Sequence, residues 1–143
     1  MLRNDWNNII FFGGAMKDNI LRQRTKSMAL RVIKLVHALP KTVTGEVIGK
    51  QVLRSGTSVA ANYYGACKAR SRKDFINKIG IAEEEADETL LWLELIVDAK
   101  LVEAPRMKEL IVEVNEITSI LAASRITAKK HESGSSKIVT RQS

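Results

Sequence analysis

Glu85 and Glu88 stand three residues apart, so on a helix their carboxylates share one face. Paired carboxylates do acid/base or metal chemistry when a histidine, a third carboxylate or an activated nucleophile accompanies them. Here none does. His37 follows Lys34 by three residues and His131 follows Ala128 by three, so neither completes the Glu-x-x-His pair of a di-iron bundle. Gly13-Gly14 lacks the Lys-Ser/Thr that follows in a phosphate-cradling loop. Cys67 has no candidate histidine nearby and reads as a small packed residue, while His37 reads as a charge complementing a helix C-terminus. With Ser55, Ser58 and Asn62 on the preceding segment, the two glutamates read as a hydrogen-bonded polar layer that fixes the register of adjacent helices. Asn62 is expected inside the bundle, within reach of Glu85 or Glu88. The chain is expected to be non-enzymatic, with no catalytic residue, metal or cofactor.

Charge offers a second chemistry. Of the formal +7, residues 1 to 82 carry +11 and residues 83 to 143 carry −4. A basic half suggests a polyanion partner, and an acidic half argues against a uniformly positive surface. Lys68, Arg70, Arg72, Lys73 and Lys78 surround one turn, where Ser71 opens a helix with free N–H groups. Arg22, Arg24, Lys26, Arg31 and Lys34 flank the stripe of an earlier helix. Tyr63 and Tyr64, just before the basic turn, are placed to stack a base. The two candidate occupants are RNA or DNA held by phosphate contacts without sequence readout, and plain solvent around a basic turn.

The elements that position these residues are helical. Aromatic residues are only 5% of the chain and its two prolines, Pro40 and Pro105, leave long uninterrupted stretches, which favours helices over sheet. From Asp18 to Leu39 the stripe is Leu21, Thr25, Met28, Val32, Leu35, Leu39. From about Gly45 to Ala69 it is Ile48, Val52, Ser55, Val59, Asn62, Ala66. A third helix, capped by Ser71 with Asp74 three residues on, carries Phe75, Ile79, Ala82, Ala86, Leu90, Leu93 and Val97 to about Val102. The fourth, opened by Pro105, carries Met107, Leu110, Val114, Ile117, Leu121 and Ser124. Near-3.5 spacing with short connections predicts an all-α, up-down-up-down four-helix bundle with left-handed supercoil over residues 18–131. Residues 1–17 read as an irregular leader and 132–143 as a disordered basic tail.

In the second helix Ser55, Gly56, Ser58, Ala60, Ala61, Gly65 and Ala66 keep side chains small, so a neighbour packs closely. In the third, residues 90 to 97 are apolar except Glu94, more than one bundle stripe requires. Self-association is the simplest use of that surplus, with Leu91, Trp92, Leu95 and Ile96 as interface candidates. No window approaches the roughly 18 apolar residues of a membrane span, and a single cysteine suits a reducing cytoplasm.

Leu39-Pro40-Lys41, Gln51, Arg54-Ser55-Gly56, Ser58, Ala61-Asn62, Ser71, Asp74-Phe75, Lys78, Ala82, Glu85-Ala86, Glu88-Thr89 and Trp92-Leu93 together resemble the bacterial four-helix-bundle family encoded in intervening sequences of large-subunit (23S) ribosomal RNA genes. The resemblance runs from about Asn19 to Lys130. Many members carry a glutamate where this chain has Gly65, so any role of that glutamate is absent. The family resemblance implies a cyclic homopentamer. A related pentameric accessory protein of diversity-generating retroelements binds a reverse transcriptase and nucleic acid, which implies RNA or DNA as a partner; the alternative is a protein-interaction or structural adaptor with no nucleic-acid role.

Overall fold

A computed structural model describes the backbone of residues 15–141 and the side chains of residues 20–133. Four helices make up the described chain: α1 (Ala15–Ala38), α2 (Val43–Cys67), α3 (Arg72–Asp98) and α4 (Ala104–Arg141). The expected leader lies largely outside the described residues. Two boundaries differ from the sequence expectation. α1 begins at Ala15 rather than Asp18, and α4 runs on to Arg141, through most of the stretch read as a tail.

The helix ends follow local chemistry. Pro40 disfavours helical backbone at Leu39, and α1 stops at Ala38. Thr42, in extended conformation, caps α2 by accepting from Gly45 N at 3.1 Å. Ser71 does the same for α3, accepting from Asp74 N at 3.1 Å. At the end of α3, Lys100 takes the left-handed conformation with φ 57°. Leu101 N then donates to Ile96 O at 3.0 Å, closing the six-to-one bond of a Schellman cap. Glycine normally fills that position, and a lysine there hid the stop.

α2 packs against α1 and α3, α3 packs against α4, and α1 meets α4 more sparsely than any of these. Cross-helix neighbours include Val32 with Gly56, Arg54 with Glu85 and Glu88, Gly65 with Lys78, and Glu83 with Arg125. The core is apolar: Met28, Val32, Val52, Val59, Tyr63, Phe75, Ile79, Leu93, Ile96, Ile117 and Leu121 are among its fully buried members. The first stripe is buried throughout. In α3 burial follows Phe75, Ile79, Ala82, Ala86, Thr89, Leu93, Ile96. The expected stripe stepped four residues from Ala86 to Leu90; the helix steps three, to Thr89, and leaves Leu90 and Val97 half-buried. The 3.6-residue period selects the face even where the residue on it is polar.

Two glycines set close approaches. A Cβ on Gly56 would meet the Val32 side chain at 3.0 to 3.3 Å, where α1 crosses α2. A Cβ on Gly45 would lie 2.0 Å from Pro40 O, a backbone atom that cannot swing aside. Gly45→Ala is therefore expected to lower stability by about 1–3 kcal/mol, the usual range for overpacking. Chemical denaturation reads the shift directly, and an unchanged midpoint would show that the α1–α2 connection yields without cost.

Candidate nucleic-acid interface

The α2–α3 turn is a short, tightly bonded connection. Lys68 N donates to Gly65 O and Ala69 N to Ala66 O at 3.1 and 3.0 Å, and Phe75 N donates to Ser71 O at 3.0 Å. Ala69 is buried against the core, so the polar residues around it face outward. Lys68, Arg70 and Lys73 are exposed. Arg72 is half-buried, and its Nε is buried with no hydrogen-bond partner among the described residues. Lys78 is less free, its Nζ standing 3.1 Å from Asp74 Oδ2.

The basic residues of α1 divide into two groups. Arg22 places its guanidinium 4.6 Å from the centre of the Tyr64 ring, which ties the start of α1 to the end of α2 beside the basic turn. Lys26 is exposed. Arg24 is engaged elsewhere: it pairs with Glu113, through Nε at 2.9 Å, and with Glu116 at 2.7 Å. Those contacts, the Glu113 bond first, push its pKa above the ordinary arginine value. The two aromatic candidates separate as well. Tyr63 is fully buried and cannot stack a base, whereas Tyr64 is half-buried with Arg22 over it.

The expected polar layer is narrower than the sequence suggests. Its buried pair is Ser55 and Thr89, with Thr89 Oγ1 2.9 Å from Ser55 Oγ. Thr89 also donates to Glu85 O of its own helix, which is how a buried hydroxyl is satisfied between two helices. Asn62 makes no bond to either glutamate; its Nδ2 donates to Ser58 O, one turn back on α2. Ser58 is half-buried. Glu85 and Glu88 sit at the rim of the α2–α3 seam, both paired with Arg54, the Glu85 contact at 3.1 Å. Trp92 Nε1 also lies 3.2 Å from Glu88. A carboxylate this far committed is a structural clamp, not a free acid or base.

That clamp carries a pH signature. The Arg54 hydrogen bond first, and the Trp92 indole second, hold the Glu88 carboxyl below the usual glutamate range. A carboxylate with a depressed folded-state pKa adds stability above its unfolded pKa, about 4.3, and loses it as pH falls through the lower folded value. Arg54→Gln is expected to lower the thermal midpoint at pH 7 and to lose that effect in acid, as pH falls through the depressed Glu88 pKa. A difference between the two proteins that persists unchanged in acid would mean Arg54 acts by packing instead.

The proposed interface residues also divide. Leu91 is 49% and Leu95 38% exposed, and Trp92 is half-buried. Ile96 is fully buried in the chain's own core and is unavailable to a neighbour. Among the described residues, no group of three or more His, Cys, Asp or Glu side chains is placed to hold a metal, and no helix is long and apolar enough to cross a membrane.

The model of the 23S rRNA-intervening sequence protein family matches residues 17–123, from the first turn of α1 to about the middle of α4. The chain belongs to that family. The crystal structure of a protein of unknown function from the S23 ribosomal protein family of Bacteroides thetaiotaomicron is similar, with 37% identity and a TM-score of 0.71. The match covers 76% of this chain and 97% of that one. No curated protein matches the sequence. Many of the positions carrying the sequence resemblance fall in the core or in the clamp. Ser55, Gly56, Phe75, Ala82, Ala86, Thr89 and Leu93 are buried, and Arg54, Glu85, Glu88 and Trp92 form the network over the α2–α3 seam. Nothing among the described residues points to catalysis.

Proposed function

We propose that this chain is a non-enzymatic, self-assembling adaptor of the cytoplasm that binds RNA or DNA through a basic rim and without sequence preference. The reading takes the helices as an up-down-up-down, left-handed bundle; the neighbour pairs Arg54–Glu85 and Gly65–Lys78 support the antiparallel course of α2 and α3. It takes the assembly as a cyclic homopentamer, supported by the exposed apolar pair Leu91 and Leu95 on α3. The observation that supports the nucleic-acid reading is the group Lys68, Arg70, Arg72 and Lys73 around the α2–α3 turn, with Arg22 beside it. Arg22 is brought there by its contact with Tyr64. Arg24 and Lys78 are neutralised by carboxylates and contribute little.

Three arginines elsewhere, Arg24, Arg54 and Arg125, face glutamates. Among the described residues the rim cations have no ion pair, and Arg72 holds a buried N–H without an acceptor. Phosphate oxygens would pair the exposed cations. A cyclic assembly repeats the rim on one face, which multiplies weak contacts into avidity without base readout. The purified protein is therefore expected to carry nucleic acid, seen as a raised 260-to-280 nm absorbance ratio that high salt removes.

A second reading rests on the same apolar pair. Leu91 and Leu95 would then receive a different protein, and the assembly would be an adaptor with no nucleic-acid role. Salt-insensitive capture of a protein partner by the full-length chain, with no oligonucleotide retention at low salt, is its distinguishing result.

A further inference from the structure

The seam between α1 and α4 changes character along its length. At one level Arg24 of α1 meets Glu113 and Glu116 of α4. One heptad onward on α1 stands Arg31, and one heptad back from Glu113 on α4 stands Arg106. Both line a single cleft of about 310 Å³, and Lys34, one turn past Arg31, lines it too. Where a guanidinium meets carboxylates at the first level, two guanidiniums and an ammonium share the second.

No carboxylate lines this cleft, and none of the three cations has an ion pair among the described residues. Like charges gathered at one site repel, and the N-terminal end of α4 at Ala104 adds its positive dipole. The cleft also has an apolar floor, made by the buried side chains of Leu35, Met107 and Leu110. Its volume is at the small end of the range for ligand pockets, about 300–1,000 Å³. Val102, which precedes α4, closes one side and places the cleft by the α3–α4 connection, apart from the basic rim.

We propose that this cleft binds a small organic anion with an apolar body, such as a carboxylate, sulfonate or phosphate ester. Arg31, Lys34 and Arg106 receive the headgroup, and Leu35, Met107 and Leu110 receive the body. An anion between Arg31 and Arg106 restores the opposite-charge contact that Glu113 supplies one heptad away. Neither half suffices alone: the cations are open to water, where a bare phosphate is well hydrated, and the floor is too small to hold a neutral chain.

The full-length chain titrated with 1-anilinonaphthalene-8-sulfonate tests this by fluorescence. Saturable binding is expected, displaced by octyl phosphate and resisted by inorganic phosphate and by neutral octyl glucoside. Arg106→Glu puts a carboxylate opposite Arg31, so it is expected to raise the thermal midpoint while weakening the dye at least about tenfold, the loss of one charge-assisted contact. Arg31→Ser gives the same loss of dye without the rise. Dye affinity unchanged in both variants, or no saturable binding by the native protein, would overturn the proposal. Displacement by a single-stranded oligonucleotide as effective as octyl phosphate would overturn it too, by giving the cleft to nucleic acid.

Discussion

Ile96→Glu is expected to abolish cooperative folding, while Leu91→Glu and Leu95→Glu leave the helices intact and break only the assembly. Ile96 has no exposed surface, so a glutamate there either buries a charge or breaks the α3 packing to reach water. The effective cost of an unpaired buried charge is several kcal/mol, comparable with a typical domain's whole margin of about 5–15 kcal/mol. The Schellman bond from Leu101 to the Ile96 carbonyl would be lost with it. Leu91 and Leu95 are 49% and 38% exposed, and a carboxylate there faces water in the isolated chain. In an assembly it faces a neighbour's apolar surface. Circular dichroism with light scattering separates the cases: native helicity at the mass of one 15.9 kDa chain for the leucine variants, lost helicity for Ile96→Glu. Leucine variants that keep the native oligomer would move the interface off α3.

Replacing Lys68, Arg70, Arg72 and Lys73 together by Ser or Gln is expected to reduce affinity for unrelated oligonucleotides alike. If each of these cations meets a phosphate and no base, loss of four flattens the salt dependence as well as the affinity. The fold should survive, because the turn is held by backbone bonds and by the buried Ala69. Arg72 is the exception to watch: half-buried, it also packs its stem, and a Gln keeps more of that stem than Ser. Affinity unchanged in the fourfold variant would transfer the site to Arg22 and Lys26 on α1 or to the far end of α4.

The helix content and most of the core were legible because apolar spacing reports a buried face wherever the face is apolar. Buried polar residues at Thr25 and Ser55 fell on the expected stripes as well, and the exception is on α3. Thr89 sits on the α3 core face, yet a stripe drawn through apolar residues passes over it to Leu90, and the same slip put Ile96 on the outside. Capping at Ser71 was visible because its chemistry is local, within three residues. Lys100 gave no signal, since a helix stop in left-handed backbone announces itself only when the residue is glycine.

For the site, sequence grouped charges by position along the chain, and the fold regroups them by partner. Arg22 and Arg24 are two residues apart, yet one stands over Tyr64 at the rim and the other is spent on Glu113 and Glu116, about 90 residues away. Asn62, expected to face the glutamates, turns back to Ser58, while Arg54 reaches Glu85 and Glu88 instead. Arg106 drew no attention as an isolated charge. Its significance comes from lying across a cleft from Arg31, a relation between the first and last helices that no local pattern contains.

The central claim, that the cations of the rim hold nucleic acid, is tested most directly by fluorescence anisotropy of two unrelated single-stranded RNA oligonucleotides with the full-length protein across a salt series. Equal affinities are expected for the two sequences, with log K falling linearly in log salt by about 0.7 for each phosphate neutralised, and with the fourfold rim variant showing a shallower slope. Absence of binding at low salt, or a salt-independent preference for one sequence, would contradict it.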